Sequence, residues 1–84
     1  MVMWRSPWKL LKSGYVACAV IYQDGTRGVV QQHVEVVEQA RGYPLREDEV
    51  VHHKNEVKHD NRIENLEVMT RAEHARLHAR KRAR

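Results

Sequence analysis

Cys18 is the only cysteine in this chain, and in a sequence of 84 residues that one fact decides how the fold must be held together. A domain of this length buries only a little over ~60% of the surface its unfolded chain exposes, so its apolar core is thin and a covalent or metal staple is a useful supplement. No disulfide can form within the chain, and zinc sites built on two or four cysteines are excluded with it. A stapling ion must therefore be held mainly by histidine or carboxylate, and the sequence carries six histidines. Cys18 itself lies in "YVACAVIY", where it reads as a small core hydrophobe in a reducing compartment. That run is far too short to span a bilayer and lacks signal-peptide flanks, so the expectation is a single cytoplasmic domain with no membrane contact.

The pattern along the chain predicts a small α+β domain. Residues 1–14 mix aromatic and basic side chains and end at Gly14; Trp8, Leu10 and Leu11 read as apolar cover for the core, with stacking of Trp4 and Trp8 on bases as the alternative. Residues 15–48 hold a hairpin and a helix. "YVACAVIY" is β-branched and aromatic, Asp24-Gly25 marks the turn, and Val29 and Val30 lie on the returning strand. Val34, Val37 and Ala40 fall at helical spacing, so a helix is expected from about Gln32 to Arg41, ended by Gly42 and Pro44.

Residues 49–79 are the densest part. "EVVHHK" (49–54) and "LEVMT" (66–70) read as strands, and Asn61 with Glu64 reads as a capping box for one helical turn between them. Thr70 and Glu73 form a second capping box, opening a final helix of good helix formers. The last five residues, 80–84, form a basic tail.

The chemistry concentrates where these elements meet. His74 and His78 are spaced i, i+4, which sets their Cβ atoms about 5–6 Å apart on one helix face, a spacing at which two imidazoles can hold one cation. His52 and His53 are adjacent on a strand and so point to opposite sides. One of them can join the helical pair as a third metal ligand, while the other, unligated but close, serves as a general base near its ordinary pKa of about 6.5. A phosphodiester hydrolase needs those two parts, a base for the attacking water and a cation for the charge that develops on phosphorus and the leaving oxygen. The acidic residues are scattered, which favours one metal over two.

Charge points to the same substrate class. Residues 1–70 carry nine Lys/Arg against ten Asp/Glu, whereas residues 71–84 carry six, Arg71, Arg76, Arg80, Lys81, Arg82 and Arg84, against Glu73 alone. The whole basic excess sits in the last segment, and with a pI near 9.6 it suits a phosphate-bearing partner such as nucleic acid.

Residues 33–78, with their VVHH strand, DNR-x-ENL loop and H-x-x-x-H helix, resemble the HNH endonuclease family, in particular its small phage-type members. The resemblance implies the ββα-metal fold, a two-stranded ribbon packed on one helix with a divalent ion between them. It implies His52, His74 and His78 as metal ligands, His53 as the general base, and Asn65 as the central asparagine that binds across the loop and steadies the base-bearing strand; Asn61 competes for that last place. It further implies a nicking DNA endonuclease of low intrinsic specificity, working in a bacterial host or phage-infected cell. One divalent ion is expected, and three imidazoles suit Zn2+, Ni2+ or Mn2+ better than Mg2+. Double-stranded DNA is the expected partner, gripped through its phosphates by Arg71, Arg76, Arg80, Lys81 and Arg82, with a homodimer or a phage protein as a further partner.

Two other readings remain open on the residues alone, a metal-stapled DNA-binding module without turnover and a nuclease for structured RNA. His59 is expected to face solvent or DNA backbone, His33 to make a structural hydrogen bond, and Asp60 to serve a turn.

Overall fold

The computed structural model describes residues 1–82, with side chains through Arg80. In chain order its elements are β1 (Val2–Arg5), β2 (Lys9–Leu10), β3 (Val16–Tyr22), β4 (Arg27–Gln31), α1 (Gln32–Arg41), β5 (Glu49–His53), β6 (Leu66–Thr70) and α2 (Arg71–Arg82), with a 3-10 turn at Ile63–Asn65 before β6. This is the expected small α+β domain, a hairpin and helix leading into two strands and a final helix. Among the described residues no helix is long and apolar enough to cross a membrane.

The central strand of the N-terminal sheet is β3, the β-branched run. On one edge β4 returns antiparallel, with Cys18 opposite Val30 and Val20 opposite Gly28. On the other edge β1 and β2 pair with it in succession, Arg5 opposite Val20 and Lys9 opposite Ala17. Pro7, which has no N–H to donate, interrupts this edge. Ser6 bridges the gap by donating its backbone N–H to Ala19 O at 2.9 Å and accepting the Ala19 N–H on Oγ at 2.8 Å.

The first dozen residues therefore form strands that the sequence did not announce. Nor do they cover the core as expected: Trp8 is 38% and Leu10 60% exposed. Among the described residues the buried apolar ones are Ala17, Cys18 and Val20 from β3, Val37 from α1 and Leu66 from β6. So thin a core agrees with the length argument.

Two ion pairs lock α1 between the sheets. Arg5 Nη1 and Nη2 reach the Glu35 carboxylate at 2.7 and 3.1 Å, tying β1 to the first helical turn. At the other end Arg41 Nη2 reaches Glu49 Oε1 at 2.8 Å, tying the last turn to the start of β5. The Arg41 guanidinium and the Arg46 backbone N–H, both bonded to the Glu49 carboxylate, hold its pKa down at about 2. Gly42 ends α1 in the left-handed region at φ +83°, where its N–H bonds Glu38 O, a conformation that favours glycine.

Strands β5 and β6 form an antiparallel ribbon with His53 opposite Leu66 and His52 opposite Glu67. Lys54 lies beyond β5, in a turn, and its N–H donates to Asn65 O. The predicted Thr70–Glu73 box is formed: the Thr70 N–H donates to Glu73 Oε1 at 2.9 Å and the Glu73 N–H to Thr70 Oγ1 at 3.1 Å. Ribbon and helix thus join with no residue between them. The helix runs to Arg82, through the whole run of good helix formers and into the basic tail, because "ARKR" contains no breaker. The other box is absent, since the 3-10 turn starts after Arg62 without a side-chain cap. Asn61 is engaged elsewhere, as the site shows.

Candidate active site

Among the described residues four polar ones are buried, His33, His52, His53 and Asn65, and all gather around the ribbon. Burial of both members of the His52/His53 pair follows from strand alternation combined with cover on both faces, by α2 on one side and by α1 and Tyr15 on the other.

On the α2 side the His52 ring lies 5.4 Å from that of His74 and 6.3 Å from that of His78, centroid to centroid. Each of the three offers a ring nitrogen, and those nitrogens lie within 4.8 Å of one another. His74 Nε2 and His78 Nε2 are 3.0 Å apart. A tetrahedral ion with bonds of about 2.0–2.1 Å separates its ligand nitrogens by about 3.3 Å, so the helical pair already stands close to ligand spacing. Burial, together with the neighbouring His78, pushes the His74 pKa below its ordinary value and favours the uncharged imidazole that a metal takes. The donor set therefore fits one divalent ion. His59, exposed in the loop, is not part of this cluster.

On the opposite side His53 stands outside the cluster. Its ring centroid is 5.1 Å from that of His33 and 6.2 Å from that of Tyr15, and its Nε2 is 2.7 Å from Asn61 Oδ1. Both sides border one groove of about 720 Å³, lined by all five residues of β5 and none of β6, so it runs along β5. Lys58 forms part of its wall, with Nζ donating to Ser13 O at 3.1 Å above the Tyr15 ring.

Asn65 closes the neck of the loop that follows His53. Its Nδ2 donates to Asn55 Oδ1 at 2.9 Å and to Asp60 O at 2.8 Å, and its Oδ1 accepts the Asn55 N–H at 3.1 Å. A family model for HNH endonucleases matches residues 30–76, more than half of the chain. The chain belongs to the HNH endonuclease family. No curated protein and no solved structure matches it significantly.

As an HNH endonuclease family member the chain brings together His52, His74, His78, His53 and Asn65 around one ribbon end. It does not bring the arginines to the same groove. Arg76 and Arg80 border a second groove of about 490 Å³ with Leu77 and Glu73, on a different face of α2 from the imidazoles. Arg71 donates from Nε to Glu47 O at 3.0 Å. Lys81 and Arg82 lie on the last turn of α2, but their side chains, and Arg84 altogether, lie outside the described residues.

The HNH ribbon also engages three residues to which the sequence gave other parts. Asn61 reaches His53 instead of capping a turn, and Gln32, from the start of α1, accepts from Asn61 Nδ2 at 2.8 Å. His33, expected to make a structural hydrogen bond, has no partner for its buried Nδ1 and packs against His53 and Tyr15. These contacts join positions 8 to 29 residues apart, which no local pattern marks.

Two stability predictions follow from the buried polar groups. Asn65→Ala leaves the Asn55 N–H and the Asp60 carbonyl without their partner and is expected to cost roughly 2–3 kcal/mol in urea unfolding. An unchanged midpoint would show that the loop is held by other means.

The second concerns acid. Burial, then the nearby His53, holds the His33 pKa down at about 4 from 6.5. Between these values the unfolded chain binds the extra proton, so stability is full above pH 6.5 and falls as pH drops towards 4. The loss reaches roughly 3 kcal/mol at pH 4. His33→Phe keeps a ring against Tyr15 without the titrating group, and its stability is expected to fall less over that pH range by about this amount. Equal slopes for parent and variant would refute the assignment.

Proposed function

We propose that this chain is a metal-dependent DNA endonuclease that hydrolyses one phosphodiester per site. The observation that carries the reading is His53, a buried imidazole outside the ligand cluster that borders the same groove as His52, His74 and His78. A purely structural metal site has no use for such a neighbour, which weighs against a DNA-binding module without turnover.

His52, His74 and His78 would hold one divalent ion, which would supply positive charge to stabilise the charge that develops at the phosphate and the leaving oxygen. His53 takes a proton from water as the water oxygen bonds to phosphorus. The bond to the 3′ oxygen breaks, and the 3′ oxygen takes a proton from solvent. Asn65 holds the turn after His53 closed, which keeps the base at a fixed place on the groove wall. Arg71, Arg76, Arg80, Lys81 and Arg82 grip flanking phosphates, a contact that carries no sequence information and weakens with salt. Three imidazoles suit Zn2+, Ni2+ or Mn2+ better than Mg2+. A single centre nicks one strand, so a double-strand break requires a second copy or a second encounter.

The test is nicking of supercoiled plasmid in the presence of each divalent ion and of chelator, with RNA and DNA competitors. Nicking that needs an ion and that DNA suppresses supports the reading. Absence of nicking with every ion leaves the binding module, and activity on RNA that DNA fails to suppress makes RNA the substrate.

A further inference from the structure

We propose that Asn61 and Gln32 are positioning residues that fix the tautomer of His53 and thereby choose Nδ1 as the nitrogen that takes the proton from water. The proposal rests on the reading of His53 as general base and adds to it which atom does the work and what orients it.

The argument runs from the far end of a hydrogen-bond chain. Gln32 presents its side-chain oxygen Oε1 to Asn61, and an oxygen of this kind only accepts, so the partner must be the amide nitrogen Nδ2, 2.8 Å away. With its nitrogen committed to Gln32, Asn61 turns its own oxygen to His53, where Oδ1 is 2.7 Å from Nε2. That oxygen also only accepts, so Nε2 must carry a hydrogen. In the neutral ring Nδ1 is then the nitrogen with the free lone pair, as a base requires.

The surroundings keep the ring in this setting. Rotation by half a turn would set a carbon-bound hydrogen against Asn61 Oδ1 and forfeit a short bond in a part-buried place. His33 and Tyr15 pack against the same ring, at 5.1 and 6.2 Å between centroids. Gln32 is the first residue of α1, itself fastened to β1 and β5 through Arg5–Glu35 and Arg41–Glu49. The N-terminal half of the domain thus acts as the anchor that sets the base of the ribbon. Asn65, by contrast, bonds only loop groups and acts on the backbone.

The experiment reads the tautomer directly, in full-length 15N-labelled protein without DNA, through long-range proton–nitrogen correlations of the imidazoles at a pH where they are neutral. The expected parent spectrum shows His53 protonated on Nε2 and bare on Nδ1. Asn61→Ala is expected to give a mixture of tautomers and to lower the nicking rate roughly 10–100-fold, the range typical of losing an outer hydrogen-bond partner of a functional histidine, with the KM for DNA little changed. Asn61→Asp retains an acceptor and is expected to restore the parent tautomer, a rescue that a merely structural role does not predict. Gln32→Met frees the Asn61 amide to invert and is expected to populate the Nδ1–H form even where Asn61→Ala fails to fold.

A parent protonated on Nδ1 would mean that the two amides run the other way and would overturn the proposal while leaving the nuclease reading intact. An unchanged tautomer in both Asn61→Ala and Gln32→Met would overturn it equally. If the tautomers behave as expected but the parent never nicks DNA, the general-base reading falls and the positioning role falls with it.

Discussion

Replacing His53 by alanine is expected to slow nicking of supercoiled plasmid roughly 10²–10⁴-fold while leaving metal binding intact, the range typical of losing a positioned general base. The separation of the two effects follows from strand alternation. His52 and His53 are neighbours in β5, yet one ring lies against His74 and His78 and the other against His33, Tyr15 and Asn61. Removing the His53 ring therefore touches none of the proposed ligand contacts. It does empty a buried position, so His53→Gln, which retains bulk and a polar end, serves as a second variant. Both are to be compared with the parent for ion-induced stabilisation and for single-turnover nicking. A variant that keeps its ion and cuts as fast as the parent would remove His53 from the reaction. A variant that loses the ion would show that the two faces of the strand are less independent than alternation requires.

How much of this site was legible in the sequence depended on the reach of each interaction. Elements set by local chemistry were readable nearly to the residue. Gly42 ends α1 at Arg41, and Thr70 with Glu73 starts α2 at Arg71, since a left-handed glycine and a capping box act within three or four residues. The sides taken by His52 and His53 follow from an alternation that any strand imposes. What the sequence concealed is long-range. Strands β1 and β2 exist by pairing with β3, and Pro7 and the mixed polarity of "MVMWRSPWKLL" masked the pattern. Asn61 carries the side chain of a good cap, and only the fold shows that its amide spans from β5 to α1.

The second large effect is expected in stability and needs no substrate. If His52, His74 and His78 hold an ion, saturating metal acts on the folded state alone, and at a concentration a hundred times the dissociation constant it adds about 2.7 kcal/mol. In a domain of this size each kcal/mol moves the melting temperature by about 4–8 °C, so the parent is expected to melt roughly 10–20 °C higher with ion than with chelator. So large a response matches a fold in which five of the described apolar residues are buried, only Val20 among them sealed from solvent almost completely. His74→Ala and His78→Ala each remove one of two nitrogens now 3.0 Å apart and are expected to lose most of that shift. His52→Ala tests whether the strand supplies the third ligand, and it too is expected to lose most of it. His59→Ala, a change of an exposed loop residue outside the cluster, is the control that should keep the full response. Scanning calorimetry of the set with Zn2+, Mn2+ and chelator separates these outcomes. Retention of the whole shift in both helical variants would move the ion away from this cluster, and with it the proposed site.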